Sequence, residues 1–112
     1  MDGRQHMTRE MLEYEFNNQA DAVARVLTLF SDQKLSLSDV TQKLAEAERR
    51  AKFVCGFIDL DDRNEEKNEL ENRLIERGII VRHNDGSISL TPLGEKRSAI
   101  KLPEPIEARL RS

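Results

Sequence analysis

From Thr8 onward the apolar residues fall at helical spacing. Met11, Leu12, Tyr14 and Phe16 form a first cluster, and Ala20, Val23, Ala24, Leu27 and Phe30 continue it. Such a stripe predicts a helix over about residues 9–30, with Asn17-Asn18 either dividing it in two or lying inside one long helix. Residues 31–34 are a polar connector, and Leu35-Ser36-Leu37-Ser38 alternates as a short extended piece does. Ser38 is a suitable N-cap, with Asp39 in the first turn. Val40, Leu44, Ala47, Ala51 and Val54 then predict a second helix over about residues 39–54. Phe57, Ile58 and Leu60 lead into the polar loop 61–64. Asn64 is placed to cap a helix over about residues 65–77, with Leu70, Leu74 and Ile75 turned inward. Residues 1–8 have no such periodicity and predict a loose start.

The stretch 74–97, LIERGIIVRHNDGSISLTPLGEKR, carries the densest punctuation. Gly78 follows the last helical charges and can take the left-handed conformation that ends a helix. Ile79-Ile80-Val81 is a β-branched run, Asn84 to Ser87 supply turn residues, and Ser87 to Leu90 alternate polar and apolar. Thr91-Pro92 restarts a helix as N-cap and first helical residue.

This helix–strand–turn–strand–helix order resembles the C-terminal half of a winged helix-turn-helix domain, of the type found in small MarR- and PadR-like transcriptional regulators. The resemblance implies a mainly α fold with a small β-hairpin. It implies a domain over residues 9–102, a flexible N-terminus 1–8 and a C-terminal tail 103–112, amphipathic at most and mobile unless docked. Residues 64–77 become the recognition helix for the major groove, and residues 82–87 the wing. Leu35 to Gly78 spans 43 positions, more than compact members of the fold use. The second helix is therefore longer, or an extra turn lies around residues 55–64. In the latter case residues 47–58 could be a separate helix carrying Arg49 and Arg50.

The implied function is a sequence-specific, cytoplasmic, homodimeric DNA-binding regulator. Its DNA contacts would come from Arg49, Arg50, Lys52, Arg63, Lys67, Arg73, Arg82 and His83. Leu12, Tyr14, Phe16, Val26 and Leu29 extend the apolar surface around the first helix, and surplus of this kind predicts a dimer interface there.

Charge complicates this picture. The 112 residues are 35% charged and 4% aromatic, with a net charge of −3 and a pI near 5.5, so no global field draws the chain to nucleic acid or membrane. Residues 59–77 hold eight acids against Arg63, Lys67, Arg73 and Arg77. Phosphate contact needs cations or donors, and this helix is short of cations. Two alternatives follow. The Arg49–Lys52 cluster is then a solvated face paired at i, i+4, Glu46 with Arg50 and Glu48 with Lys52. The domain itself is then a protein–protein adaptor that docks the acidic helix 65–77, through Glu65, Glu66 and Glu69, on a basic partner.

Other chemistry is sparse. Uninterrupted apolar runs reach three residues, too short for a bilayer span, and the start MDGRQHMTRE does not read as a secretory signal. The single cysteine, Cys55, excludes an internal disulfide and predicts a buried thiol, with a redox-sensing thiol as the alternative. Asp59, Asp61 and Asn64 invite a calcium loop, but the sixth and twelfth positions are Asn64 and Leu70 where Gly and Glu are needed. His6 and His83 lack partners at metal-ligand spacing. With no phosphate-cradling loop, nucleophile elbow or catalytic dyad, the sequence predicts no enzyme, no cofactor and no metal.

Overall fold

A computed structural model describes residues 8–112 as a mainly helical chain with one two-stranded antiparallel hairpin. The expected loose start lies outside the described residues except for Thr8, whose hydroxyl accepts from the Met11 amide (3.1 Å) and caps α1 (Arg9–Leu29). This helix runs unbroken through Asn17-Asn18. It buries Phe16, Ala20, Val23, Val26 and Leu27, the inward side of the predicted stripe. Among the described residues no helix is long and apolar enough to cross a membrane.

The second helix, α2 (Leu37–Ala51), starts two residues earlier than expected because Ser36, not Ser38, is its cap. Ser36 and Asp39 exchange side-chain to backbone bonds (3.0 and 3.2 Å), the reciprocal box that Ser-x-x-Asp permits. Ser38 would have placed Thr41 at the answering position. Lys52 ends α2 in the left-handed conformation, so Val54, expected inside the helix, is exposed. The long middle of the chain is explained by an extra turn of helix, α3 (Phe57–Asp62), packed on α2. Arg49 and Arg50 stay on the last turn of α2 and not on a separate helix.

Glu48 organises that extra turn. Its buried carboxylate accepts from the backbone N–H groups of Cys55 (3.1 Å), in the connector, and of Phe57 (2.7 Å), a donor that α3 leaves unsatisfied at its start. The expected surface pair of Glu48 with Lys52 does not form, because Glu48 faces inward. Next comes α4 (Asn64–Glu76), with Leu70 and Leu74 buried. Asn64 is its first helical residue and does not cap it, since Arg63 occupies the cap position without a side-chain bond. The helix closes as the sequence predicts. Gly78 has φ +71°, and the Gly78 and Ile79 amides return to the carbonyls of Ile75 (3.0 Å) and Leu74 (2.9 Å).

The hairpin pairs β1 (Ile80–Arg82) with β2 (Ile88–Leu90), Val81 opposite Ser89. Leu35 adds a bridge to Ile88 (N–O 2.8 Å), so the alternating piece before α2 is tied to β2 on the side away from β1. Thr91 caps α5 (Pro92–Arg97) with Pro92 in its first turn. Gly94 allows α5 to sit against the hairpin: a Cβ there would lie 2.2 Å from the Ile79 carbonyl oxygen.

The expected C-terminal tail is a docked helix, α6 (Glu104–Arg111). Ile106 and Leu110, one turn apart, are buried against α2 and α1. Between them in sequence, Glu107 is 2% exposed and meets Arg25 of α1 at 2.7 and 3.3 Å. Arg25 also donates to the Ser98 carbonyl (3.1 Å), and Glu107 accepts from the Leu102 amide (3.0 Å) and from Arg111 (3.3 Å). Burial raises the Glu107 pKa, but the hydrogen bonds from Arg25 and Leu102 and the guanidinium charge outweigh it. The carboxyl ends below its ordinary value.

Candidate interaction surfaces

Two surfaces differ in charge. The first is the outer face of α4. Glu65, Glu69 and Glu76 are exposed there and form no ion pair among the described residues. Most cations around this face are engaged, while Arg73, one turn after Glu69 on the same helix, is exposed and forms no ion pair among the described residues. Arg63 meets Glu66 (3.1 Å), Lys67 meets Asp61 (3.8 Å), and Arg82 at the hairpin base reaches back to Glu71 (2.5 Å). Arg77 forks onto Glu13 of α1 (2.8 and 3.2 Å) and stacks over Phe16, 4.6 Å from the ring centre. The Arg77 hydrogen bond holds the Glu13 carboxyl below its ordinary value. Of the three acids proposed for partner binding, Glu65 and Glu69 are outward and open, while Glu66 is half-buried and held by Arg63.

The eight residues proposed for DNA do not form one set. Arg63, Lys67 and Arg82 are tied to acids as above, and Arg49 pairs with Glu46 (3.5 Å). The expected Glu46–Arg50 pair is replaced by this i, i+3 contact. Arg50, Lys52 and Arg73 form no ion pair among the described residues. Arg50 and Lys52 lie at the end of α2, and Arg73 lies on α4. His83 sits exposed in the turn and contacts the Ser89 hydroxyl (2.7 Å), a cross-strand contact on an open hairpin. The turn is set locally: Gly86 has φ +87°, and Asp85 accepts from the Ser87 amide (2.9 Å) and hydroxyl (2.6 Å). Those bonds hold the Asp85 pKa below its ordinary value.

The second surface is a shallow groove of about 530 Å³ between α2, α6 and the connector after α1. Lys43, Arg50 and Arg109 line it, over an apolar floor that includes Phe30 and Leu110. The Lys43 ammonium lies 4.3 Å from the Phe30 ring centre. Two acids also line it, and both are committed: Asp39 in the α2 cap and Glu46 to Arg49. Sequence reasoning missed Lys43 and Arg109. The Ile106–Leu110 spacing was the signal that would have turned Arg109 outward on a docked helix.

The apolar surplus expected on α1 shrinks on folding. Phe16 and Val26 are buried in the chain's own core and Leu29 packs against it. Leu12 and Tyr14, with Met11, remain exposed on the first two turns. Tyr14 lines a cleft of about 480 Å³ with Cys55, Phe57 and Ile100. Cys55 is half-buried there, and burial, followed by the nearby Glu48 charge, raises its pKa. A raised pKa disfavours the thiolate that redox sensing needs. Asp59 and Asp61 belong to α3, where Asp61 accepts from the Thr41 hydroxyl (2.8 Å) and so joins α3 to α2, while Asp59 is exposed.

Comparison with family models, with curated proteins and with solved structures finds no match to this chain.

Proposed function

We propose that the chain is a winged-helix domain used for protein–protein contact, and that it docks the acidic outer face of α4 on a basic partner. The order of elements, the hairpin after α4 and the Leu35–Ile88 bridge support the winged-helix reading. One observation carries the choice of ligand. Of the five cations Arg63, Lys67, Arg73, Arg77 and Arg82 around α4, all but Arg73 are bound to acids, while Glu65, Glu69 and Glu76 stay open to solvent. A phosphate backbone brought to this face meets three uncompensated carboxylates against one unpaired cation, Arg73. A Lys- or Arg-rich protein segment meets complementary charge.

The test is capture of a labelled basic helical peptide at low salt. Binding is expected for the natural chain and is expected to be lost in Glu65→Lys with Glu69→Lys, whose exposed side chains leave folding unchanged. Unchanged capture by the reversed variant rejects the reading.

A dimeric, sequence-specific DNA regulator is the second reading. It is favoured by the exposed Asn68, Asn72 and Arg73 on α4, side-chain types that read base edges. Salt-dependent duplex binding that weakens on Arg73→Ala is its signature.

A further inference from the structure

We propose that the partner of the acidic α4 face is a second copy of this chain, seated in the basic groove between α2 and α6. The inference rests on the reading of α4 given above and names the occupant by charge complementarity. The groove presents Lys43, Arg50 and Arg109, and none of them forms an ion pair among the described residues. The face of α4 presents Glu65, Glu69 and Glu76 in the same condition, three acids against the one unpaired Arg73.

The spacings agree as well as the signs. Lys43 and Arg50 are seven residues apart on α2 and line one groove. Glu69 and Glu76 are seven residues apart on α4, which returns nearly to the same side of a helix. At 1.5 Å per residue each pair spans about 10.5 Å along its axis. Two helices laid side by side therefore have the spacing to form both ion pairs at once, with Arg109 of α6 adding charge to the same groove.

The two surfaces are different parts of one molecule, so the contact is heterologous. Copies join head to tail and continue until a ring closes or a chain grows. Because the contact is largely charge, it is sensitive to salt. At about 1 M the screening length falls to about 3 Å.

Sedimentation of the full chain at low and high salt, with two charge-reversed variants, tests this. One variant carries Glu69→Lys and Glu76→Lys, and the other carries Arg50→Glu and Arg109→Glu. All four positions are exposed, and circular dichroism serves as the check that both variants fold. The natural chain is expected to associate at low salt and to dissociate at high salt. Each variant alone is expected to associate about tenfold more weakly or worse. An equimolar mixture is expected to associate again, because each variant's altered face now complements the other's natural one.

A natural chain that remains monomeric at low salt overturns the proposal, as do variants that associate unaided or a mixture that fails to. Capture of the basic peptide by the natural chain in those cases leaves the α4 reading standing and removes only the second copy as its partner.

Discussion

Arg25–Glu107 and Arg82–Glu71 are both arginine–glutamate pairs that join separate elements, yet they do different work. In the first, the side chains are 10% and 2% exposed, and further bonds to Ser98, Leu102 and Arg111 complete the site. In the second, they are 50% and 17% exposed at the rim of the hairpin. A buried pair becomes costly once one partner is removed, because the other stays charged in a poor solvent for charge. An exposed pair has water as an alternative partner and changes stability little. The inner pair therefore governs whether α6 is docked, and the outer pairs govern the charge that α4 shows to a partner.

The strongest way to break this contrast is Glu107→Ala. It strands Arg25 and frees the Leu102 amide. We expect a loss of about 3–5 kcal/mol in denaturant unfolding, with α6 the first region to lose amide protection. A loss below about 1 kcal/mol places this pair with the surface pairs.

Acid gives the same contrast without mutation. The folded pKa of Glu107 is depressed, so its contribution is complete above the ordinary glutamate value of about 4.3 and disappears as pH falls through the lower folded value. Unfolding followed below pH 5 is expected to show a smaller loss in Glu107→Gln than in the natural chain, the remainder coming from groups such as Glu13 and Asp85 whose carboxyls are also held low.

Glu48→Ala is expected to cost about 1–3 kcal/mol, since the Cys55 and Phe57 amides lose their acceptor. The readout is denaturant unfolding beside Glu48→Gln, which keeps an acceptor oxygen and is expected to recover part of the loss. Arg82→Ala closes the series. A change within about 1 kcal/mol is expected, together with a more negative α4 face and tighter binding of a basic peptide. A larger loss would mean that the hairpin depends on its bond to Glu71.

The same contrast separates what was legible in the sequence from what was not. The hairpin and its flanks were readable because each signal is local. Gly78 terminates α4, Gly86 turns the chain, and Thr91-Pro92 restarts a helix, each through its own neighbours in sequence. The start of α2 was misplaced by two residues because two serines compete, and only Ser36 has an aspartate three positions on. Glu48 read as a surface residue because its partners, the Cys55 and Phe57 amides, appear only once α3 has formed. The docking of α6 was less visible still, since Arg25 and Glu107 are 82 residues apart. The surplus of acid around α4 was countable from composition. Which acids remain open could not be counted, because Glu13, Asp61 and Glu71 find their cations through tertiary contacts.

The most direct test of the acidic-face account is a paired anisotropy titration of the natural chain at low salt, with a labelled Lys- and Arg-rich helical peptide and a labelled mixed-sequence duplex. The peptide is expected to bind, to be released by salt and to be ignored by the Glu65→Lys, Glu69→Lys variant, while the duplex stays free. Duplex binding that weakens on Arg50→Ala with Lys52→Ala, beside a peptide that does not bind, contradicts it.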